Sequence, residues 1–396
     1  MSLLTTPIDA IIKPMLEILK QTELVWVDHP QKLREVTEEL LAQDIIAVDT
    51  ESNSLYAYQE QVCLIQFSTR EKDILVDSLA LPDLSLLGPI FHSDKIMKIF
   101  HAAEYDLVCL FRDYGFQFRF LFDTMIAART LGHQKIGLGS LLEKYFGVHM
   151  DKKYQRANWG RRPLKPEMLE YARLDSHYLI PLAETLQKEL RESDRWLLAM
   201  EDFKRLTQNV EDTTETNEDD FWKLRGARDL NSRQAAILKS VYQFRESQAE
   251  KQNRPSFKVV SHQALVNIAS KSPESPQALK KLPSLNHRLV DRYGKGLIDA
   301  VHKGEKAPPE NPPRNNRPPE AVLNRMDTLR EWRKLAGCDM GVPSDVVLPR
   351  DILNRIAWEN PNNKQELQKI MEDAPYRYQC FGDEIMKTLK QGEKPA

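Results

Sequence analysis

Two stretches of this chain are copies of one another, and that repetition dictates how the rest can be divided. At an offset of 88 residues, Phe244-Arg245 falls on Trp332-Arg333, Pro255 on Pro343, Val259 on Val347, Leu265 on Leu353 and Ile268-Ala269 on Ile356-Ala357. The register continues without a gap through Pro273 and Pro361, Leu279 and Leu367, to Tyr293-Gly294 and Phe381-Gly382. Self-similarity at a fixed period marks one supersecondary unit used twice. Within each copy Ala, Leu and Ile recur at helical spacing with no strand-like alternation, which predicts two small all-α domains. A chain of 396 residues leaves room for a further domain upstream.

Composition locates the joints. Glu211 to Asp220 is acidic and polar without apolar periodicity, and Gly304 to Glu320 contains three Pro-Pro pairs and is expected to be extended. The expected organisation is a first domain over 1–210, an acidic linker over 211–220, the first copy over 221–303, a Pro-rich linker over 304–320 and the second copy over 321–392. In the first domain, Leu24 to Val27, Ile45 to Val48, Val62 to Phe67 and Ile74 to Val76 are short β-branched runs. They alternate with helical patterns at Lys32 to Gln43 and Asp106 to Tyr114, which reads as α/β. Met1 to Lys20 places Asp9, Lys13, Glu17 and Lys20 among apolar residues, as an amphipathic helix does and a secretory signal does not.

No apolar run is long enough to cross a bilayer. The four cysteines, Cys63, Cys109, Cys338 and Cys380, form no C-x-x-C pair, so neither a zinc cage nor a disulfide framework is expected and a reducing cytoplasm fits. The net charge of −2 conceals an asymmetry: residues 221–303 carry 16 Lys+Arg against 6 Asp+Glu, whereas residues 1–220 carry 25 against 37. An acidic domain joined to a module of net +10 suits an enzyme that works on a polyanion, with carboxylates to hold cations and basic groups to attract phosphates.

The chemistry concentrates in three short segments. Ile45 to Glu51, IIAVDTE, is an apolar strand ending in carboxylates at i and i+2, which project to the same side. Two negative charges so placed repel unless a cation lies between them, and oxygen ligands suit a hard divalent ion. His101 to Leu110, HAAEYDLVCL, opens a helix after the strand-like Ile96 to Phe100; Asp106 and Glu104 compete as ligand, and His101 reads as a polar residue at the junction. Tyr171 to Leu179, YARLDSHYL, lies in a helix expected from about Pro166 toward Leu190, where Tyr171 and Asp175 share one face. Between these, Asp151 to Pro166 interleaves Lys152, Lys153, Arg156, Arg161 and Arg162 with Tyr154 and Trp159, a pattern able to grip phosphates and stack single-stranded bases.

In chain order, DTE, HAAEYD and YARLDSHYL resemble the three exonuclease motifs of the DEDD superfamily, in the subclass with Tyr four residues before the last Asp. FDT at Phe122 to Thr124 and W-x-x-RPL at Trp159 to Leu164 are similar to the ribonuclease D family, and the two repeats look like HRDC domains. The resemblance implies a ribonuclease H-like mixed sheet flanked by helices, followed by two all-α HRDC domains. It implies Asp49, Glu51, Asp106 and Asp175 as ligands of two divalent cations, Mg²⁺ or Mn²⁺, Tyr171 as the residue that positions the attacking water, and a structural role for Asp123. It further implies 3′ to 5′ exonuclease action on RNA, with transfer-RNA precursors bearing single-stranded 3′ ends as substrate. No phosphate loop is present, since Gly294-Lys295 is followed by Gly296, so no nucleotide motor is expected. A DNA exonuclease and a catalytically silent RNA-binding adaptor are the competing readings.

Overall fold

The computed structural model describes residues 22–208, 210, 218–313 and 317–392, so the expected N-terminal helix and most of the acidic linker lie outside the described residues. The IIAV run becomes a central strand because four consecutive apolar residues serve two cores. Ile46 and Val48 enter a hydrophobic cluster on one face of the sheet, and Ile45 and Ala47 enter another cluster on the opposite face.

The strands are β1 (Glu23–Val27), β2 (Ile45–Ser52), β3 (Val62–Ser68), β4 (Lys72–Val76), β5 (Met97–Phe100) and β6 (Leu121–Asp123), in the order β1-β4-β3-β2-β5-β6. β1 runs parallel to β4, β2 to β5 and β5 to β6, whereas β3 and β4 are antiparallel, which makes the sheet mixed as expected. The short β6 escapes a sequence reading because three residues cannot display a period of two.

On the Ile46 face lie α1 (Pro30–Leu41), α2 (Gly88–His92) and α3 (Glu104–Tyr114); Leu33, Val36 and Leu40 form the buried stripe of α1. On the Ile45 face lie α4 (Thr124–Thr130) and α5 (Leu138–Phe146). The next helix, α6 (Pro166–His177), lies across β3 and β4 and shares a cluster with Cys63, Leu64 and Leu75. It is followed by α7 (Leu179–Glu192) and α8 (Trp196–Gln208) on the Ile45 face. The single helix expected from Pro166 to Leu190 is therefore two, broken at Tyr178. Pro181 lacks the N–H that would have bonded back to the His177 carbonyl, so the ladder cannot run through.

The first repeat comprises α9 (Ser232–Lys251), α10 (Ser256–Val259), α11 (His262–Lys271), α12 (Pro276–Lys280) and α13 (His287–Lys306). The second comprises α14 (Glu320–Met340), α15 (Ser344–Val347), α16 (Arg350–Glu359), α17 (Lys364–Ile370) and α18 (Pro375–Gly392). The 88-residue offset carries α10 onto α15 and α11 onto α16 residue for residue. Helix α13 continues through Gly304 into the segment expected to be linker. A Cβ at Gly304 would stand 2.4 Å from the Cα of Ile237, so here glycine permits a close helix crossing rather than ending a helix.

The described residues gather into two compact units. One gathers those of Met1–Glu51, Val62–Asp212 and Arg317–Ala396; the other gathers those of Ser52–Gln61 and Thr213–Asn316. The second repeat thus belongs with the sheet, and buried polar contacts explain why. Arg377 is fully buried and donates to Glu201 at 3.0 Å, Asp202 at 2.7 Å and the Val346 carbonyl at 2.9 Å. Arg205 pairs with Asp351 at 2.7 Å and also with Asp373, while Arg129 is held by both oxygens of Asp345. Around these charges Leu198 packs with Val342, Val346 and Val347. At Gly132 (φ +87°) an added Cβ would lie 2.2 Å from the Gly341 carbonyl oxygen, so the two segments meet where no side chain fits. The other unit takes in ten residues that the sequence assigns to the first domain, 52–61. Tyr58 packs on the core of the first repeat, and its N–H donates to Asn253 Oδ1 at 3.0 Å.

Candidate active site

Strand parity places the first two carboxylates. Ile45 and Ala47 face one side of β2, and Asp49 and Glu51 continue that odd series where the apolar run gives out. Together with Thr50, Tyr171, Asp175 and His101 they line a cleft of about 560 Å³, walled by Gly137 to Ser140 in the first turn of α5 and by His149 to Lys152. Asp106 reaches the same strand end from α3 and accepts a hydrogen bond from the Thr50 hydroxyl. It is 9% exposed, whereas Glu104 is exposed; burial thus separates two residues between which the sequence alone did not decide.

The electrostatics record how close these acids are. Burial and then the charges of Asp175, Asp106 and Glu51 raise the Asp49 carboxyl well above the usual range, and burial, Asp175 and Asp106 do the same to Glu51. Burial pushes Asp106 up to about 7, and burial with the neighbouring Asp106 pushes Asp175 to about 7. The Tyr171 phenol is likewise raised by burial, by Asp175, Glu51 and Asp49, and by its hydrogen bond to Asp175. Neighbouring charge thus opposes ionisation of Asp49, Glu51 and Asp175, and carboxylate oxygens are donors of the kind that suits a hard divalent cation. Among the described residues, no three acidic, His or Cys side chains converge tightly enough to form a ready-made metal cage. Asp49, Glu51 and Asp175 line the cleft, while Asp106 lies behind them at the same strand end, turned to Thr50.

Asp123 is differently employed. Its carboxylate caps α4, accepting from the N–H groups of Met125 (2.8 Å) and Ile126 (3.0 Å), and it also accepts from Ala103 N–H (2.7 Å). The Thr124 hydroxyl donates to the Phe100 carbonyl at 3.1 Å, so at 2.9 Å from His101 Nδ1 it can only accept, and that nitrogen carries the proton. Burial pushes His101 down to about 4, which keeps the ring neutral at pH 7.

Helix α6 is fixed in rotation by a buried network on β4. Asp73, 1% exposed, accepts from Arg173 Nε at 2.7 Å and Thr22 Oγ1 at 2.8 Å, and its other oxygen accepts from Ser68 at 2.7 Å. His177 Nδ1 stands 2.8 Å from the same carboxylate, and Ser68 also touches Ser176 at 2.8 Å. Arg173, Ser176 and His177 alternate along α6 with Tyr171 and Asp175, so the network sets the direction in which the latter pair point. Asp73→Asn is expected to destabilise the fold by about 1–3 kcal/mol and to lower turnover at saturating substrate. Denaturant unfolding together with kcat checks this; an unaltered kcat in the folded variant would show that α6 needs no such anchor.

The basic segment divides. Lys152, Lys153, Arg156 and Arg161 are exposed, with Lys152 on the cleft wall. Two expected nucleic-acid contacts are corrected. Trp159 is 1% exposed, with its ring 6.1 Å from that of Tyr171, so it packs the site from behind and offers no face to a base. Arg162 forks onto Asp77 with two 2.6 Å bonds and donates to the Cys63 and Trp159 carbonyls at 2.7 Å, which ties the segment to the sheet rather than to a phosphate. Tyr154 is half-buried edge-on to Tyr171. The cleft wall at Gly137 to Ser140 carried no sequence signal beyond a helix start.

Fold and sequence together define a 3′–5′ exonuclease domain followed by two HRDC domains. A 3′–5′ exonuclease family model matches residues 24–191, and the HRDC domain matches twice, at 234–301 and 322–389. The chain is 42% identical over 169 residues to Protein RRP6-like 3 of Arabidopsis thaliana, covering 42% of this chain and 19% of that protein. It thus spans about a fifth of that plant relative. It is 27% identical over 379 residues to Ribonuclease D of Gluconacetobacter diazotrophicus, covering 93% of each. The crystal structure of Escherichia coli RNase D superposes with a TM-score of 0.70 at 24% identity, over 93% of this chain and 99% of that one, which establishes the shared fold. The chain thus carries a 3′–5′ exonuclease domain and two HRDC domains, and over nearly its whole length it is similar to ribonuclease D.

Proposed function

We propose that this protein trims RNA from the 3′ end one nucleotide at a time, releasing nucleoside 5′-monophosphates. The observation that carries this reading is the gathering of Asp49, Glu51, Asp106 and Asp175 at the end of β2, each with its carboxyl raised. Two divalent cations, Mg²⁺ or Mn²⁺, held by these carboxylates would supply the Lewis acidity that activates a water and neutralises charge on the departing 3′ oxygen. Tyr171 keeps its proton, because burial and neighbouring carboxylates disfavour the phenolate; it orients the water by hydrogen bonding and does not act as the base. Backbone N–H groups of the first turn of α5, with Lys152 nearby, suit the phosphate of the terminal nucleotide. Transfer-RNA precursors with single-stranded 3′ ends are the substrate class we infer, in the cytoplasm; no helix among the described residues is long and apolar enough to cross a membrane.

The test is incubation of 5′-labelled single-stranded RNA and DNA, side by side, with Mg²⁺ or chelator. A ladder of shortened RNA with mononucleotide release only in metal supports the reading. Preferential digestion of DNA, or no metal-stimulated release at all, contradicts it.

A pH dependence follows. For Asp106 and Asp175 the folded-state value of about 7 lies above the unfolded value near 3.8, so the folded state binds more protons in between. Stability of chelator-treated protein therefore falls as pH rises from about 4 to 7. Thermal melts at pH 5 and 7.5 should show the lower Tm at 7.5, restored there by Mg²⁺. A flat profile would mean that burial does not hold these two carboxyls above their ordinary range.

A further inference from the structure

The internal repeat allows one face to be compared in two settings. In the second copy Val342 and Val346 pack with Leu198, and Asp345 holds Arg129, so that face is covered within its unit. The same positions in the first copy, 88 residues earlier, are Arg254, Phe257 and Lys258. Phe257 is 47% exposed, and Lys258 is exposed beside it. The Lys258 ammonium stands 4.2 Å above the ring of Tyr56, which is itself 36% exposed. Tyr56 belongs to this unit through segment 52–61, pinned by Tyr58 against the core and to Asn253, the neighbour of Arg254.

We propose that Tyr56, Arg254, Phe257 and Lys258 form a binding surface for single-stranded RNA, an assignment that rests on the exoribonuclease reading above. Exposed rings beside cations suit stacked bases linked by phosphates, because every base offers a π-face and every linkage a charge. The surface belongs to the module of net +10, which favours a polyanion over a protein of mixed charge. Tyr56 follows Glu51 by five residues in the chain, an extended span of at most about 18 Å.

The experiment measures binding of a single-stranded RNA of about 12 nucleotides to the full chain in chelator, by fluorescence anisotropy at several salt concentrations. Phe257→Ala and Tyr56→Ala should each weaken binding about tenfold with the salt slope kept, and Phe257→Trp should restore it. Lys258→Gln should reduce the slope of log affinity against log salt by about 0.7. Circular dichroism melts confirm that each variant is folded. Affinities and slopes equal to wild type in all variants overturn the proposal and leave the face to a protein partner. Mononucleotide release by the wild type separates the two levels: if no RNA is digested, the exoribonuclease reading falls, and if RNA is digested while the variants bind normally, only this surface does.

Discussion

Replacing Asp49 by Asn should lower turnover by well over a hundredfold while leaving RNA binding measurable in a gel-shift assay. Loss of an outer-shell partner alone costs about 10–100-fold at metal sites, and Asp49 is assigned to the ligands themselves. Asp49 also feels Asp175, Asp106 and Glu51, so removing its charge relieves repulsion and spares the fold. The variant should melt no lower than wild type in chelator. Retained turnover would take Asp49 out of the site, and loss of RNA binding with loss of turnover would make it a folding residue.

The second large effect is on stability. Arg377→Leu, the residue that occupies the matching position 289 in the first repeat, should cost about 3–5 kcal/mol. The change leaves Glu201, 8% exposed, with its carboxylate still buried and its cation gone. Burial already raises the Glu201 carboxyl against the pull of Arg377, so without that guanidinium the group must protonate or the contact must open. Adding Glu201→Met should recover part of the loss, because a buried pair replaced on both sides by apolar groups is far less costly than a broken one. Denaturant unfolding of single and double variants decides; a double variant no more stable than the single would mean that the charges do not act as a pair.

How much of this was legible in the sequence depended on whether the signal was local. The β2 run and its two carboxylates could be read in place, because strand parity is a property of consecutive residues. The α10 and α11 boundaries recurred at α15 and α16 because both copies carry the same punctuation. Partners distant in sequence were not legible. Arg162 and Trp159 look like nucleic-acid contacts until Asp77, 85 residues from Arg162, and the packing around Tyr171 claim them. The two repeats look interchangeable until Asp345, Asp351, Asp373 and Arg377 are seen to be spent on α8 and on Arg129. Segment 52–61 offered no cue that it would pack on the first repeat, since Tyr58 in a loop is equally compatible with solvent.

The central claim is that acids from three separate segments act as one cation-binding set. Anomalous diffraction from crystals soaked in Mn²⁺ tests it most directly. Two peaks about 3.5–4 Å apart, bounded by Asp49, Glu51, Asp106 and Asp175, are the expected result. Full-occupancy Mn²⁺ elsewhere on the protein, with none among these four carboxylates, would contradict it.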